Sequence, residues 1–226
     1  MHKLIPILLA ILITGLLPAC EEKAPPAPAP AQTSPQPQPA VHGFDSTSPY
    51  YVNVDVSPMD MSYYPVNYPK LRMANRAIPP PVMRVIYSRP HLAGRELFHD
   101  VLKYGEHWRL GANESTEIDF YQPVTIQQKT IRPGRYIIYC VLGATTWTIV
   151  LNSSLDSWGL QQDTTRDVER FVVPVTHGNP TLEYYTMEFE KTAGGADLIM
   201  AWDDVVARLP IRFSGDAAGK LPAAGK

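Results

Sequence analysis

Cysteine is almost missing from this chain: 226 residues contain two, Cys20 and Cys140. No C-x-x-C occurs, and neither does G-x-S-x-G, H-E-x-x-H, a P-loop or a dinucleotide fingerprint. The familiar hydrolase, zinc-protease and nucleotide classes therefore lack the local motifs their chemistry needs, whereas a dispersed catalytic site is untouched by these absences. Charge of one sign is also lacking. Twenty Lys and Arg stand against 22 Asp and Glu, which leaves no basic footprint for nucleic acid. Nor does the opening apolar run, the 14 residues from Leu4 to Leu17, reach the about 20 residues that cross a bilayer core.

What is present begins with that run. It follows Met1-His2-Lys3 and has the length of a signal-peptide apolar region. It ends in Leu17-Pro18-Ala19-Cys20, which resembles the bacterial lipobox, with Pro18 departing from the small residue usual at that place. The expectation is a signal peptide over 1–19 and a lipid on Cys20, a palmitate-type acylation that supplies the multiple chains stable anchoring requires. The main partner is then the membrane, the place is the cell envelope at the outer membrane, facing the periplasm or the outside, and the protein is a monomer. Residues 20–43 form a linker. Its Ala24–Val41 stretch holds seven prolines and no apolar set to bury, so it reads as a semi-rigid polyproline spacer. With Lys3 removed, 19 basic residues remain against 22 acidic ones. With Cys20 acylated, Cys140 is a lone thiol, no internal disulfide is possible, and a core role is expected for it.

Residues 44–213 are the size of one domain with a substantial core, and 214–226 read as a loose Gly/Ala/Lys tail. Strand signals dominate: Tyr50–Val56, Met83–Tyr87, Glu117–Tyr121, a hairpin from Val124-Thr125-Ile126 to Thr130-Ile131, Gly134–Leu142, Thr145–Leu151, Glu169–Val175, Leu182–Glu190, Leu198–Trp202 and Val205–Phe213. Short β-branched and aromatic runs at this spacing predict an all-β domain, a mostly antiparallel β-sandwich or jelly-roll-like fold. One short helix is expected over Arg95–Tyr104, from the spacing of Leu97, Phe98, Val101 and Leu102, with Gly105 closing it. Residues 65–82, with Pro79-Pro80-Pro81, are expected to be an ordered loop.

Three groups of residues invite chemistry. His91, His99 and His107 recur every eight residues, but that spacing does not make imidazoles converge on a zinc ion, and no metal is assigned. Glu117 and Asp119 share a strand face and read as solvated positions. Glu114 joins them as a possible source of acid–base carboxylates. The densest group is Trp108-Arg109-Leu110-Gly111-Ala112-Asn113-Glu114. Either it is a structural corner, in which Arg109 pairs with Glu114 or Asp119, or it holds a polar ligand together with Arg89 and Arg95.

These residues also carry a resemblance. Val85-Ile86-Tyr87-Ser88-Arg89-Pro90, Gly94-Arg95, Trp108 to Glu114, Gly134 with Tyr136, Trp147-Thr148 and Trp158-Gly159 resemble the bacterial family called domain of unknown function 2911. Ser57–Tyr63 is similar to a segment of its lipoprotein members. The resemblance runs from about Ser57 to Phe213 and implies no histidine at positions 99 and 107. It supplies domain limits and no catalytic residue or cofactor. The reading is thus a lipid-anchored envelope domain that binds a small polar or glycan-like ligand, or an envelope protein, without enzymatic activity. Its candidate ligand residues are Arg89, Arg95, Trp108, Arg109, Asn113 and Glu114. The alternative is a hydrolase or lyase that uses Glu114 with Arg109.

Overall fold

The computed structural model describes residues 57–213. The strand expected over Tyr50–Val56, the signal peptide, the linker and the tail lie outside the described residues.

Strand β1 (Met59–Tyr64) pairs with β2 (Met83–Ser88) across helix α1 (Tyr68–Ala74). Strands β3 (His107–Trp108) and β4 (Glu117–Phe120) follow, then the hairpin of β5 (Val124–Ile126) and β6 (Lys129–Ile131). Long strands complete the fold: β7 (Gly134–Val141), β8 (Thr146–Asn152), β9 (Asp167–Thr176), β10 (Leu182–Thr192), β11 (Gly195–Asp203) and β12 (Val205–Phe213). The path β1-β2-β4-β7-β8-β9-β12-β11-β10 is antiparallel at every step. The expected mostly antiparallel all-β architecture is what the chain adopts, as a sheet bent almost into a closed barrel.

The two ends of that path are drawn together by backbone and side chain. Ser62 of β1 donates its hydroxyl to the Met187 carbonyl of β10 at 2.7 Å. Past the end of β2, the Tyr185 amide donates to the Pro90 carbonyl at 2.9 Å and the Leu92 amide to the Glu183 carbonyl at 3.0 Å. An edge that would otherwise be open is thereby covered by the chain's own backbone.

Period-two patterning explains which face closes inward. On β12, Val205, Ala207, Leu209 and Ile211 are buried while Arg208, Pro210 and Arg212 are exposed. Tyr185, Met187 and Phe189 do the same on β10, and Trp147, Ile149 and Leu151 face the same core from β8. Tight turns set the register. Gln127 and Gln128, at φ 44° and 70°, form the two-residue connection between β5 and β6, so Lys129 belongs to the strand.

Two local expectations change. The Arg95–Tyr104 stretch winds only one π-type turn, Leu97–Val101, with the Leu102 amide donating to the Leu97 carbonyl at 2.8 Å. Leu102 is then extended (φ −120°, ψ 155°), because burying its side chain takes it out of the helical course. Gly105 is left-handed at φ 83°, and its amide is bonded to the Leu142 carbonyl at 2.7 Å. Conversely, the stretch expected to be loop contains α1. Pro69 sits in its first turn, where a missing N–H costs nothing.

Candidate functional site

The Trp108–Glu114 segment turns a corner at the end of β3. Leu110 has φ 53° with its side chain wholly buried, and Asn113 has φ 59°. Left-handed backbone at a buried leucine persists only where the surroundings hold it. Here the Thr116 hydroxyl donates to the Leu110 carbonyl at 2.7 Å, and the Trp108 indole N–H donates to the Gly111 carbonyl at 3.2 Å. Gly111 must be small, because a Cβ there would lie 3.0 Å from the Ser88 carbonyl oxygen of β2. Inside the corner, the Trp108 ring centroid is 4.7 Å from Tyr185, 5.8 Å from Trp147 and 5.8 Å from Trp202. Trp108 is the hub of the aromatic core.

Beside this hub a pocket of about 330 Å³ opens. Its wall is made of chain segments far apart in sequence: Pro90 and Arg95, Val101 to Ala112 in part, Leu142, Gly159-Leu160 and Trp202. Arg95, Lys103 and Arg109 bring positive charge to it, Glu106 the one carboxylate, and Trp108 and Trp202 aromatic surface. The volume falls at the small end of the range for ligand pockets.

Arg109 is the unusual member. It is half-buried, and its stem lies under Gly159, where an added Cβ would come within 3.1 Å of the Arg109 Cβ. Its one side-chain hydrogen bond among the described residues runs from Nη1 to the Trp158 carbonyl at 3.3 Å. Burial pushes its pKa down, and no acid counters that effect. The expected pairing with Glu114 or Asp119 is not formed. Asp119 is taken by Arg84, whose Nε donates to it at 2.8 Å, and by Arg135 at 3.5 Å. Glu114 is exposed. The register of β4 against β2 and β7 decides this, since it sets Asp119 opposite both Arg84 and Arg135.

The family model described as protein of unknown function (DUF2911) matches residues 71–211. The chain belongs to that family. No curated protein and no solved structure matches it.

In this DUF2911 domain the sequence candidates separate into two sets. Arg95, Trp108 and Arg109 meet at the pocket, whereas Arg89, Asn113 and Glu114 are not part of its wall. Arg89 is a clasp between the ends of the sheet. Its Nε donates to the Tyr185 carbonyl at 3.1 Å, Nη1 to Asp60 at 3.2 Å and Nη2 to the Thr186 hydroxyl at 2.9 Å. Arg95 is held by the Leu92 and His91 carbonyls at 2.8 and 2.7 Å. Those bonds to neutral carbonyls fix its position, and its charge acts on the nearby Asp100 carboxylate, whose pKa it helps to lower.

The three histidines do not converge. His99 is exposed beside Asp100 at 2.8 Å, His91 lies against Tyr184, and His107 faces the Tyr139 ring at 5.3 Å. Among the described residues no group of three His, Cys, Asp or Glu side chains could hold a metal. Cys140 is fully buried, and burial raises its thiol pKa well above the ordinary value. Lys103, Glu106, Leu160 and Trp202 escaped sequence reading as pocket residues. Only the turn at Gly105, which folds Lys103 and Glu106 back beside Leu142, brings the first two to the site.

Proposed function

We propose that the mature protein is a non-enzymatic, lipid-anchored binding protein of the cell envelope, tethered through Cys20 and holding a small polar ligand in the Arg109 pocket. The observation that carries the ligand reading is Arg109 itself. A half-buried guanidinium at the wall of a pocket, with one hydrogen bond to a neutral carbonyl and no acid partner among the described residues, is a charge whose desolvation is only weakly offset. A ligand anion or dipole would offset it. The competing reading, a hydrolase or lyase with Glu114 acting beside Arg109, lacks that juxtaposition, since Glu114 is exposed and outside the pocket wall. A protein partner on the same face is the second reading, favoured by Leu160 of the pocket wall and by Trp158 two residues before it, which are 72 % and 57 % exposed.

The anchor rests on the sequence alone: the short apolar run, Cys20 and the proline-rich spacer. Two measurements test the whole. Cys20→Ser should release the chain from the membrane fraction; a cleaved mutant that stays membrane-bound would show another anchor. A thermal-stabilisation screen with sugars and organic acids should give hits on the native chain that Arg109→Ala abolishes. If every hit survives Arg109→Ala, the pocket is not the binding site.

A further inference from the structure

The charges and the apolar surface of the pocket are unequal in kind and point to one class of molecule. Arg95, Lys103 and Arg109 face it with only Glu106 as counter-charge on the wall. Lys103 is exposed and forms no ion pair among the described residues. The guanidinium bonds that Arg95 and Arg109 make go to neutral carbonyls. The wall therefore carries three cations against one carboxylate, with Asp100 acting on Arg95 from outside the wall. Val101, Leu102, Leu160, Trp108 and Trp202 add apolar atoms to the same wall.

We infer that the pocket takes an amphiphilic oxyanion, a carboxylate or phosphate carried on a short apolar body. This rests on the pocket being the binding site, as proposed above. The charged end meets Arg109 and Lys103, which can donate charge-assisted hydrogen bonds to it, and the apolar body covers the Leu102, Leu160 and tryptophan surface. An uncharged sugar would leave the cations unmatched. An inorganic anion would leave the apolar atoms wet. A pocket of about 330 Å³ suits a small molecule rather than a polymer.

The test uses the chain from residue 20 onward carrying Cys20→Ser, which contains all the described residues. Acetate, butyrate, hexanoate, octyl phosphate, hexanol and glucose are titrated by calorimetry. Affinity should rise about fourfold for each methylene between butyrate and hexanoate, the increment for burying one such group. It should fall as salt is raised, because the contact at the rim is between charges. Lys103→Ala should weaken hexanoate several-fold with unchanged melting, and Arg109→Ala should weaken it at least tenfold. Vesicles of phosphatidylglycerol that compete with hexanoate would locate the natural source in the bilayer; hexanoate binding without vesicle binding would locate it in solution. Either supports the inference. Hexanol binding as tightly as hexanoate, or glucose alone binding in an Arg109-dependent way, would overturn the ligand class while leaving the pocket reading intact. No binding by any probe would overturn both.

Discussion

Arg109 and Trp158 are joined across 49 residues of sequence by one hydrogen bond, from the guanidinium Nη1 to the backbone carbonyl at 3.3 Å. The loop between β8 and β9 is laid over the arginine stem at the same place, with Ser157 and Ser115 hydroxyls 3.0 Å apart. The pocket wall on this side is therefore held by contacts among neutral groups around one cation.

That arrangement separates two arginines of similar appearance. Arg109→Ala strands no buried carboxylate, so its cost should be that of a surface-like change plus lost packing, within about 1 kcal/mol. Arg89→Ala removes three bonds that tie β1 to β10 and should cost roughly 1–3 kcal/mol. Thermal unfolding of both variants checks the order. An Arg109→Ala protein that melts earlier than Arg89→Ala would mean that Arg109 has a buried acid partner after all.

Gly159 should not tolerate alanine. It has φ 82°, and a Cβ would stand 2.5 Å from the Ser115 oxygen. Left-handed backbone alone costs an L-residue about 1–2 kcal/mol, and the clash must push the loop off Arg109. Calorimetric unfolding should show that loss, with weaker ligand binding than the melting change alone accounts for. Native binding in Gly159→Ala would show that the loop does not shape the pocket.

Cys140 should resist thiol reagents in the native state. Its side chain is fully buried and burial raises the thiol pKa, so the thiolate is both rare and unreachable. The rate of labelling should follow the unfolded fraction in denaturant. Fast labelling of the folded chain would contradict the burial.

Glu117 gives a pH signature. Burial raises its carboxyl pKa more than the Arg135 charge, 3.5 Å away, lowers it. A carboxyl whose folded pKa is raised contributes stability while protonated, below the unfolded pKa, and loses that contribution as pH rises through the folded pKa. At neutral pH the ionised group is mildly unfavourable. Glu117→Gln should therefore leave melting unchanged or raise it at pH 7, and any gain should vanish in acid. A clear loss of stability at pH 7, measured by melting across pH, would show that the Arg135 pair outweighs burial.

The strands were legible because their evidence is local. Met83 to Tyr87 reads as a strand from its apolar run and Val205 to Phe213 from its β-branched residues whatever they pair with, and the runs from Gly134 and Thr145 match β7 and β8 to within a residue or two. Parity along the strand set Glu117 and Asp119 on one face. It could not say that Arg84 and Arg135 would share that face, because cross-strand register is not written in either strand. Helical detail was less legible. Leu97 to Leu102 has helical spacing, yet burial of Leu102 stops the turn, and α1 forms around Pro69 in a stretch whose prolines read as loop.

The chain's own sequence thus determines a mostly antiparallel β fold and the family it belongs to, since period, turns and motifs act over a few neighbours. Only the tertiary structure decides which candidate residues share a pocket. Closure of the sheet claims Arg89, strand register gives Asp119 to other arginines, and the loop at Gly159 crosses to Arg109. Each depends on segments tens of residues apart meeting in space, a relation that local pattern does not encode.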